Sequence, residues 1–244
     1  MNERPPQRRR ARSWRLSLYR GLTGWAGPIA MPLLRARLRG GKEDATRLSE
    51  RLGHAGISRP QGDLIWIHGA SVGESLSALP IIERLQSRNP DLSVLVTSHT
   101  QTSAQILARR LPPGAFHQYV PIDHPGAIKR FLNHWRPQAG LFMESELWPN
   151  LLSIAADRDI PLALLNARMS ERSFKGWLRA KRVARALLSN FDICLAQDTA
   201  IAGRLASLGA PLVSVVGNLK FAAPPLPTDD DALDALRGEV GTRR

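Results

Sequence analysis

The sequence predicts an α/β fold with a Rossmann-like, mostly parallel sheet and helices on both of its faces. Short apolar segments of strand length alternate with longer helix-like segments between residues 64 and 217. The apolar segments are continuous rather than alternating, which is typical of strands covered on both faces. Unusual polar residues follow these segments, at the edge where open parallel sheets bind their ligands. Right-handed strand–helix–strand crossovers are therefore expected.

Each predicted strand is one apolar run, and each predicted helix follows a strand directly. A short polar helix that ends at Gly53 and a joint rich in proline and glycine precede the first strand. The predicted strands span residues 64–68, 93–98, 117–121, 139–145, 161–166, 192–197 and 211–217. The helices that follow the first six strands are predicted at residues 74–88, 101–111, 124–135, 147–157, 171–189 and 198–208.

The composition predicts a globular body without an internal disulfide. Hydrophobic residues make up 43% of the 244 residues, which is enough for a core. The one cysteine, Cys194, lies in an apolar run, so we predict a buried thiol. The six histidines are scattered and no Cys/His cluster has zinc spacing, so no structural metal is expected.

Most of the net charge of +13 belongs to an N-terminal arm, residues 1–42, which holds eleven Lys or Arg and a single Glu. Basic arms bind nucleic acid or anionic membranes. Here an uncharged stretch, residues 21–34, lies between basic segments and is accompanied by Trp14, Tyr19 and Trp25. Aromatic residues of this kind suit a membrane interface, so the arm favours a membrane surface and not nucleic acid.

The uncharged stretch is shorter than the roughly 20 residues that a spanning helix needs. Its glycines and prolines also weaken a regular helix. We therefore expect the arm to lie in, or dip into, the cytoplasmic leaflet. A cleaved signal peptide is one alternative, although no small-x-small cleavage site follows the apolar stretch. A disordered basic tail is the other.

The segment HGASVGE, residues 68–74, permits two incompatible interpretations. Its G-x-S-x-G pattern is that of the nucleophile elbow of serine hydrolases, with Ser71 as nucleophile. That enzyme class needs a histidine late in the chain, and the last histidine here is His134, well before the final strands. The other interpretation gives the chemistry to Glu74, a carboxylate in the first turn of a helix beside the ligand-binding edge of the sheet.

Two further acids, Glu144 and Glu146, end the fourth predicted strand in the segment MESELWPN. Acids form strands poorly, so they need a reason to be there. Helix capping is one reason for these acids and for Glu74. The other is that the two loops face each other across the edge of the sheet, where a partly desolvated carboxylate can act as a general base.

In order and spacing, the segments HGASVGE, MESELWPN, LNARMSERS and GNLKFA resemble the bacterial 3-deoxy-D-manno-octulosonic acid (Kdo) transferases of lipopolysaccharide synthesis. The likeness covers residues 16–222. It implies that the chain is the N-terminal domain of a GT-B glycosyltransferase. It also implies transfer of Kdo from CMP-Kdo to the lipid A precursor at the cytoplasmic face of the bacterial inner membrane, without a metal or other cofactor. The implied partners are these two substrates and the anionic membrane surface.

The resemblance also implies residue roles. It makes Glu74 the general base of an inverting displacement, and it places a second functional acid in the ESELWPN motif. Glu144 and Glu146 both remain candidates for that second acid.

A basic segment and the Glu74 loop supply candidate anion-binding groups. Arg168, Arg172, Lys175 and Arg179 are spaced i, i+4, i+7 and i+11, which predicts one face of a helix. Such a face can bind acceptor phosphates or anionic lipid, and a solvated basic face is the alternative. Ser71 and the backbone around Gly73 are expected to donate hydrogen bonds to an anion at the start of the helix.

The sequence departs from the family at its C-terminal end. Residues 43–221 fit the acceptor-binding domain, and residues 222–244 fit a linker or the start of a nucleotide-sugar domain. A single strand–helix–strand unit already needs about 30 residues. Two function classes therefore stay open: a Kdo transferase represented by its N-terminal half, and a truncated, inactive module that binds acceptor and membrane.

Overall fold

Seven parallel strands form one sheet in the computed structural model, which describes residues 11, 13–222, 234, 238 and 241. The strands, numbered in chain order, are β1 Leu64–His68, β2 Ser93–Ser98, β3 Ala115–Tyr119, β4 Ala139–Met143, β5 Leu162–Ala167, β6 Ile193–Ala196 and β7 Val213–Val215. Every pair of neighbouring strands is parallel. The predicted parallel sheet is confirmed.

Helices connect the strands and also form the N-terminal arm. They are α1 Trp14–Trp25, α2 Gly27–Arg39, α3 Val72–Ser77, α4 Leu79–Arg88, α5 Gln101–Arg110, α6 Pro125–Trp135, α7 Pro149–Ala156, α8 Glu171–Arg179, α9 Lys181–Leu188 and α10 Thr199–Leu208. Two 3-10 helices add to these, Ala45–Leu52 before β1 and Leu219–Ala222 after β7.

The strand order, β3-β2-β1-β4-β5-β6-β7, reverses direction between β1 and β4. In open α/β sheets, ligands bind outside the carboxyl ends of the strands at such a switch point. His68, the last residue of β1, is in register with Phe142, the penultimate residue of β4. The loops that leave these two strands therefore begin side by side.

Consecutive residues of β1 reach the two opposite faces of the sheet. Trp66 packs in one apolar cluster with Phe131 of α6, and Ile67 packs in another with Ile82 of α4. All four side chains are fully buried, and burial of an apolar side chain of this size contributes roughly 1.5–3 kcal/mol. The sheet is thus covered on both faces, which explains why its strands are continuously apolar. Cys194 lies in the core as predicted, and burial raises the pKa of its thiol to about 12.

Two predicted helices are each divided in the structure. The helix predicted at 74–88 begins at Val72 and is divided at Ala78, where Pro80 occupies the first turn of α4. A proline fits the first turn of a helix but not its interior, because it has no N–H to donate. The helix predicted at 171–189 is divided at Ala180, whose φ of −122° and ψ of 37° depart from helical geometry.

The predicted helix face holds Arg172, Lys175 and Arg179, but the prediction that Arg168 belongs to it is wrong. The preceding strand, β5, extends to Ala167, and α8 begins only at Glu171. Ser170 caps the helix by accepting a hydrogen bond from the N–H of Ser173 at 3.1 Å. Arg168 therefore lies in the loop between β5 and α8.

The N-terminal arm folds into two helices, α1 and α2, which meet at Ala26. In the part of the chain that the structure describes, no helix has the length and apolar character needed to cross a membrane. Residues 1–10 and 12 of the predicted arm lie outside the described residues. So does most of the linker predicted at residues 222–244.

Hydrogen bonds attach the arm to the body near the switch point. The Tyr19 hydroxyl donates to Asp123 Oδ2 at 3.0 Å, and Asn150 Nδ2 donates to Thr23 Oγ1 at 2.9 Å. Asp123 follows β3 and Asn150 lies in the first turn of α7. The arm is therefore held at the carboxyl edge of the sheet.

Candidate active site

Glu74 lies in the first turn of α3, just after the loop that leaves β1. Its Oε1 accepts a hydrogen bond from Ser71 Oγ at 2.9 Å, and its Oε2 accepts one from the N–H of Ala70 at 2.9 Å. Ser71 is the N-cap of α3, and its Oγ lies 3.3 Å from the N–H of Glu74 that donates to it. This is close to a capping box, so the capping interpretation describes the local structure. The carboxylate is held back against the loop and stays half-buried.

The serine hydrolase interpretation lacks its required geometry. A serine nucleophile needs a base within hydrogen-bond reach. Among the described residues, Ser71 Oγ is bonded to Glu74 and not to a histidine. The G-x-S-x-G pattern here forms a helix cap.

The environment of Glu74 favours its protonated form more than water does. Burial raises the pKa of Glu74, and the negative charges of Glu146 and Glu144 raise it further. The bonds from Ala70 and Ser71 oppose this increase without cancelling it. A carboxylate with a raised pKa is a stronger base, which suits it to take a proton from a hydroxyl group.

Glu146 lies in the loop after β4, and its pKa is shifted downward, opposite to that of Glu74. Its Oε2 accepts a hydrogen bond from Trp148 Nε1 at 2.5 Å and lies 3.5 Å from Nε2 of His68. Burial raises the pKa of Glu146, but His68 and Trp148 together lower it below its usual value. The two neighbouring acids, Glu74 and Glu146, thus have pKa values shifted in opposite directions, a pattern typical of acids with different roles in one site.

Glu144 immediately follows β4 and has an unusual backbone. Its φ is +54°, and the φ of Asn166 near the end of the neighbouring strand β5 is +52°. Left-handed conformations of residues other than glycine cost on the order of 1 kcal/mol and concentrate at functional sites. The Glu144 carboxylate lies 3.5 Å from Nζ of Lys220, and its backbone N–H and C=O bond to Leu165 and Arg168. These contacts fix the turn that directs Glu144 away from the strand.

His68, His99 and Trp148, to which the sequence analysis assigned no role, also lie at this edge of the sheet. His99 follows β2, stacks on Trp148 with ring centroids 4.8 Å apart, and lies 5.6 Å from the His68 ring centroid. Burial lowers the pKa of His99 to about 3, so this imidazole is neutral at physiological pH. Each of the three ends or follows a strand, which is the sequence signal that identifies them.

The remaining predicted anion-binding residues are exposed. Gly73 is open to solvent, and a Cβ atom there would meet nothing within 4 Å, so space exists for a ligand beside Glu74. Arg172, Lys175 and Arg179 lie on the surface of α8, and Lys175 pairs with Glu171 at 2.6 Å. Their binding role stays a prediction.

Solved structures at low sequence identity share the fold of this chain. The complex of S. aureus MnaA with UDP superposes with a TM-score of 0.50 at 14% identity, covering 70% of this chain and 50% of that one. A putative UDP-N-acetylglucosamine 2-epimerase from Listeria monocytogenes gives 0.50 at 12% identity, covering 73% and 52%. The fold is the Rossmann-like parallel sheet predicted from the sequence.

A family model described as 3-deoxy-D-manno-octulosonic-acid transferase (kdotransferase) matches residues 46–223. The chain belongs to this family. A transferase from Rickettsia bellii is 39% identical over 221 residues, which are 91% of this chain and 53% of the relative. A probable mitochondrial transferase of Arabidopsis thaliana is 38% identical over 90% of this chain and 50% of its own length. The chain thus spans about half the length of the curated relatives it matches.

Proposed function

We propose that this chain is the acceptor-binding half of a transferase that moves Kdo from CMP-Kdo to a hydroxyl group of the lipid A precursor. Glu74 serves as the general base of the reaction. The observation that carries the proposal is the position of Glu74: a half-buried carboxylate with a raised pKa at the switch point of the sheet, beside Glu144 and Glu146. Membership of the Kdo transferase family supplies the substrate class.

The proposed reaction is a direct displacement that inverts the anomeric centre. The acceptor oxygen forms a bond to the anomeric carbon of Kdo while the bond from that carbon to the CMP phosphate breaks. Glu74 takes the proton of the attacking hydroxyl, and CMP leaves with the bonding electrons. The step needs no metal as a reactant. Glu74 has to exchange its bond from Ser71 for one from the acceptor, and both bonds are of ordinary strength.

Positive charge around the site matches the charge of the proposed substrates. Lys220 lies 3.5 Å from Glu144, and Arg168 joins the same turn through its backbone N–H. The lipid A precursor carries phosphates and Kdo carries a carboxylate, and Lys and Arg bind such groups through charge-assisted hydrogen bonds. We propose that Arg168, Arg172 and the rest of the basic surface after β5 bind the acceptor phosphates.

The arm supplies an apolar surface for a lipid. Large hydrophobic side chains on α1 and α2 are between 52% and 90% exposed: Trp14, Leu18, Leu22, Trp25, Ile29 and Leu33. They recur three or four residues apart, as on one face of a helix. Exposed apolar surface of this extent, next to a strongly basic segment, is typical of a helix lying in a membrane interface. We propose that the arm lies on the cytoplasmic face of the inner membrane.

A groove of about 380 Å³ lies between the arm and the sheet. Its walls include Leu33, Ile29 and Val120, and Trp148 lies at the side next to the candidate active site. His99 and Trp148 also line the groove, so it extends from the apolar arm to side chains beside Glu146. We propose that an acyl chain or the adjoining backbone of the acceptor occupies it.

A second candidate function is acceptor and membrane binding without turnover, which the exposed apolar side chains of α1 and α2 and the adjoining groove favour. Incubation of the chain with labelled CMP-Kdo and lipid A precursor in detergent micelles separates the two functions. Labelled lipid shows an active enzyme, whereas acceptor binding without labelled lipid shows the module. Failure to bind the acceptor would contradict both.

A further inference from the structure

Three potential metal ligands meet at the ends of three neighbouring strands. His68 ends β1, His99 follows β2, and Glu146 follows β4. One nitrogen or oxygen atom of each side chain lies within 4.8 Å of the corresponding atoms of the other two. The three residues are far apart in sequence, which is why spacing alone predicts no metal site here.

The hydrogen bonds of His68 leave one ring nitrogen without a partner. Its Nδ1 lies 2.9 Å from Thr97 Oγ1 and 3.3 Å from the carbonyl oxygen of Thr97. A carbonyl only accepts, and the Thr97 hydroxyl donates its one hydrogen to the carbonyl oxygen of Ile67 at 3.4 Å, so Nδ1 carries the hydrogen. The lone pair of Nε2 then faces the Glu146 carboxylate 3.5 Å away. His68 is fully buried, and this Nε2 has no hydrogen-bond partner.

Two electron-pair donors that face each other in a buried place need a cation or a proton between them. A proton on Nε2 gives the 3.5 Å ion pair of His68 with Glu146, and a metal ion can bind the same two atoms by displacing that proton. Nε2 of His99 is also buried without a partner. Two buried imidazole nitrogens without hydrogen-bond partners therefore lie at the same edge of the sheet as the Glu146 carboxylate.

We propose that His68, His99 and Glu146 bind one divalent transition-metal ion, with Zn²⁺ as the preferred occupant. Two imidazole nitrogens and a carboxylate oxygen are typical zinc ligands. Ligand atoms of a tetrahedral zinc site lie roughly 3.3 Å apart, from zinc–nitrogen distances near 2.0 Å. The His68–Glu146 separation of 3.5 Å fits this distance, and the ligand atom of His99 lies within 4.8 Å of both.

The surroundings of these ligands also fit a metal site. Metal-binding histidines typically donate their other ring N–H to an oxygen atom, as His68 does to Thr97. The bond from Trp148 to Glu146 fixes the carboxylate in the same way. The ion joins the loops after β1, β2 and β4 and so holds the edge that carries the candidate active site. This role is separate from the proposed transfer, which needs no metal as a reactant.

Direct metal binding tests the inference on the full chain without a histidine tag. After removal of metal with a chelator, the protein is titrated with Zn²⁺ against a chromophoric chelator, and with Co²⁺ by absorption spectroscopy. We expect one ion per chain, a visible Co²⁺ spectrum of low coordination number, and a Tm that rises with Zn²⁺ concentration. Absence of stoichiometric binding would overturn the proposal.

Two substitutions and a control identify the ligands. Loss of a residue that only hydrogen-bonds to a metal ligand weakens metal binding roughly tenfold to hundredfold. His99→Asn and Glu146→Gln each remove a ligand, so each should weaken Zn²⁺ binding by more than this. His54→Asn removes an exposed histidine elsewhere and should leave binding unchanged. Circular dichroism verifies that each variant is folded. Equal binding by all three variants would show that Zn²⁺ occupies another site and would refute this one. Because the readout is metal binding, the result is independent of Kdo transfer.

Discussion

Ser71 and Glu74 exchange two hydrogen bonds, one from the Ser71 hydroxyl to Oε1 at 2.9 Å and one from the Glu74 N–H to Ser71 Oγ at 3.3 Å. The same serine therefore starts the helix and lowers the pKa of the carboxyl group that we propose as base. Capping and catalysis are alternatives in the sequence, but the structure lets a single pair of residues serve both.

Ser71→Ala should lower stability and raise the pKa of Glu74 at once. Loss of an N-cap side chain costs about 1 kcal/mol, and the carboxylate also loses a donor that favours its charged form. Denaturant unfolding and a ¹³C NMR titration of the carboxyl group measure the two effects. Ser170→Ala is the matched control, because Ser170 caps α8 in the same manner without contacting Glu74. It should lose similar stability and leave the Glu74 titration unchanged.

The ionisation of Glu74 predicts a pH dependence of transfer. A general base acts only when it is deprotonated, and the pKa of Glu74 is raised above its ordinary value by burial. The rate should therefore fall as pH decreases, starting at a higher pH than an exposed glutamate would give. The stability of the fold depends on the ionisation of Glu74 in the opposite direction, decreasing as pH rises. The folded chain binds the proton more readily, so Glu74 costs stability as pH rises through the interval between its unfolded and folded pKa values. A rate independent of pH across the NMR titration of Glu74 would contradict its role as base.

Substitution in the arm should reduce membrane binding. Trp25 is 90% exposed on the apolar face of α1, and we propose that its ring enters the membrane interface. Trp25→Glu would place a charge there in place of the ring. We expect roughly tenfold weaker binding to vesicles that contain anionic lipid, measured by co-sedimentation. Ile57→Glu changes an exposed apolar residue outside the arm and should bind as the unaltered chain does. Added salt should weaken vesicle binding of the Trp25→Glu and Ile57→Glu variants alike, because it screens the basic residues.

The sequence predicted the seven strands and singled out Glu74, Glu144 and Glu146 as candidates, but not the histidine and tryptophan side chains that lie near them. The strands β1 and β2 were predicted with the bounds observed, because each contains an apolar run flanked by polar residues. Glu74, Glu144 and Glu146 were recognised because acids beside strand ends are costly without a purpose. His99 follows β2 and Trp148 follows β4, two strands with β1 between them, so nothing local predicts that their rings stack. The break at Ala180 likewise has no proline or other local signal.

The positive φ values at Glu144 and Asn166 were also beyond sequence reasoning. A left-handed conformation is predicted readily only where glycine occurs. At these two positions it is imposed by neighbouring contacts, such as the bond from the Leu219 N–H to Asn166 Oδ1 at 3.1 Å. The segment that follows β7 thus helps to shape the strand ends from which the site is built.

The most direct test is the kinetics of Glu74→Gln in a two-domain transferase that contains this chain, with Kdo transfer and acceptor affinity measured in parallel. Glutamine keeps the size of the side chain, and its one carbonyl oxygen can still accept from the Ala70 N–H while its amide donates to Ser71 Oγ, but it cannot take a proton. We predict a loss of about 10²–10⁴ in turnover, with acceptor Kd changed by less than about twofold. Turnover close to that of the unaltered enzyme would contradict the assignment of Glu74 as the general base.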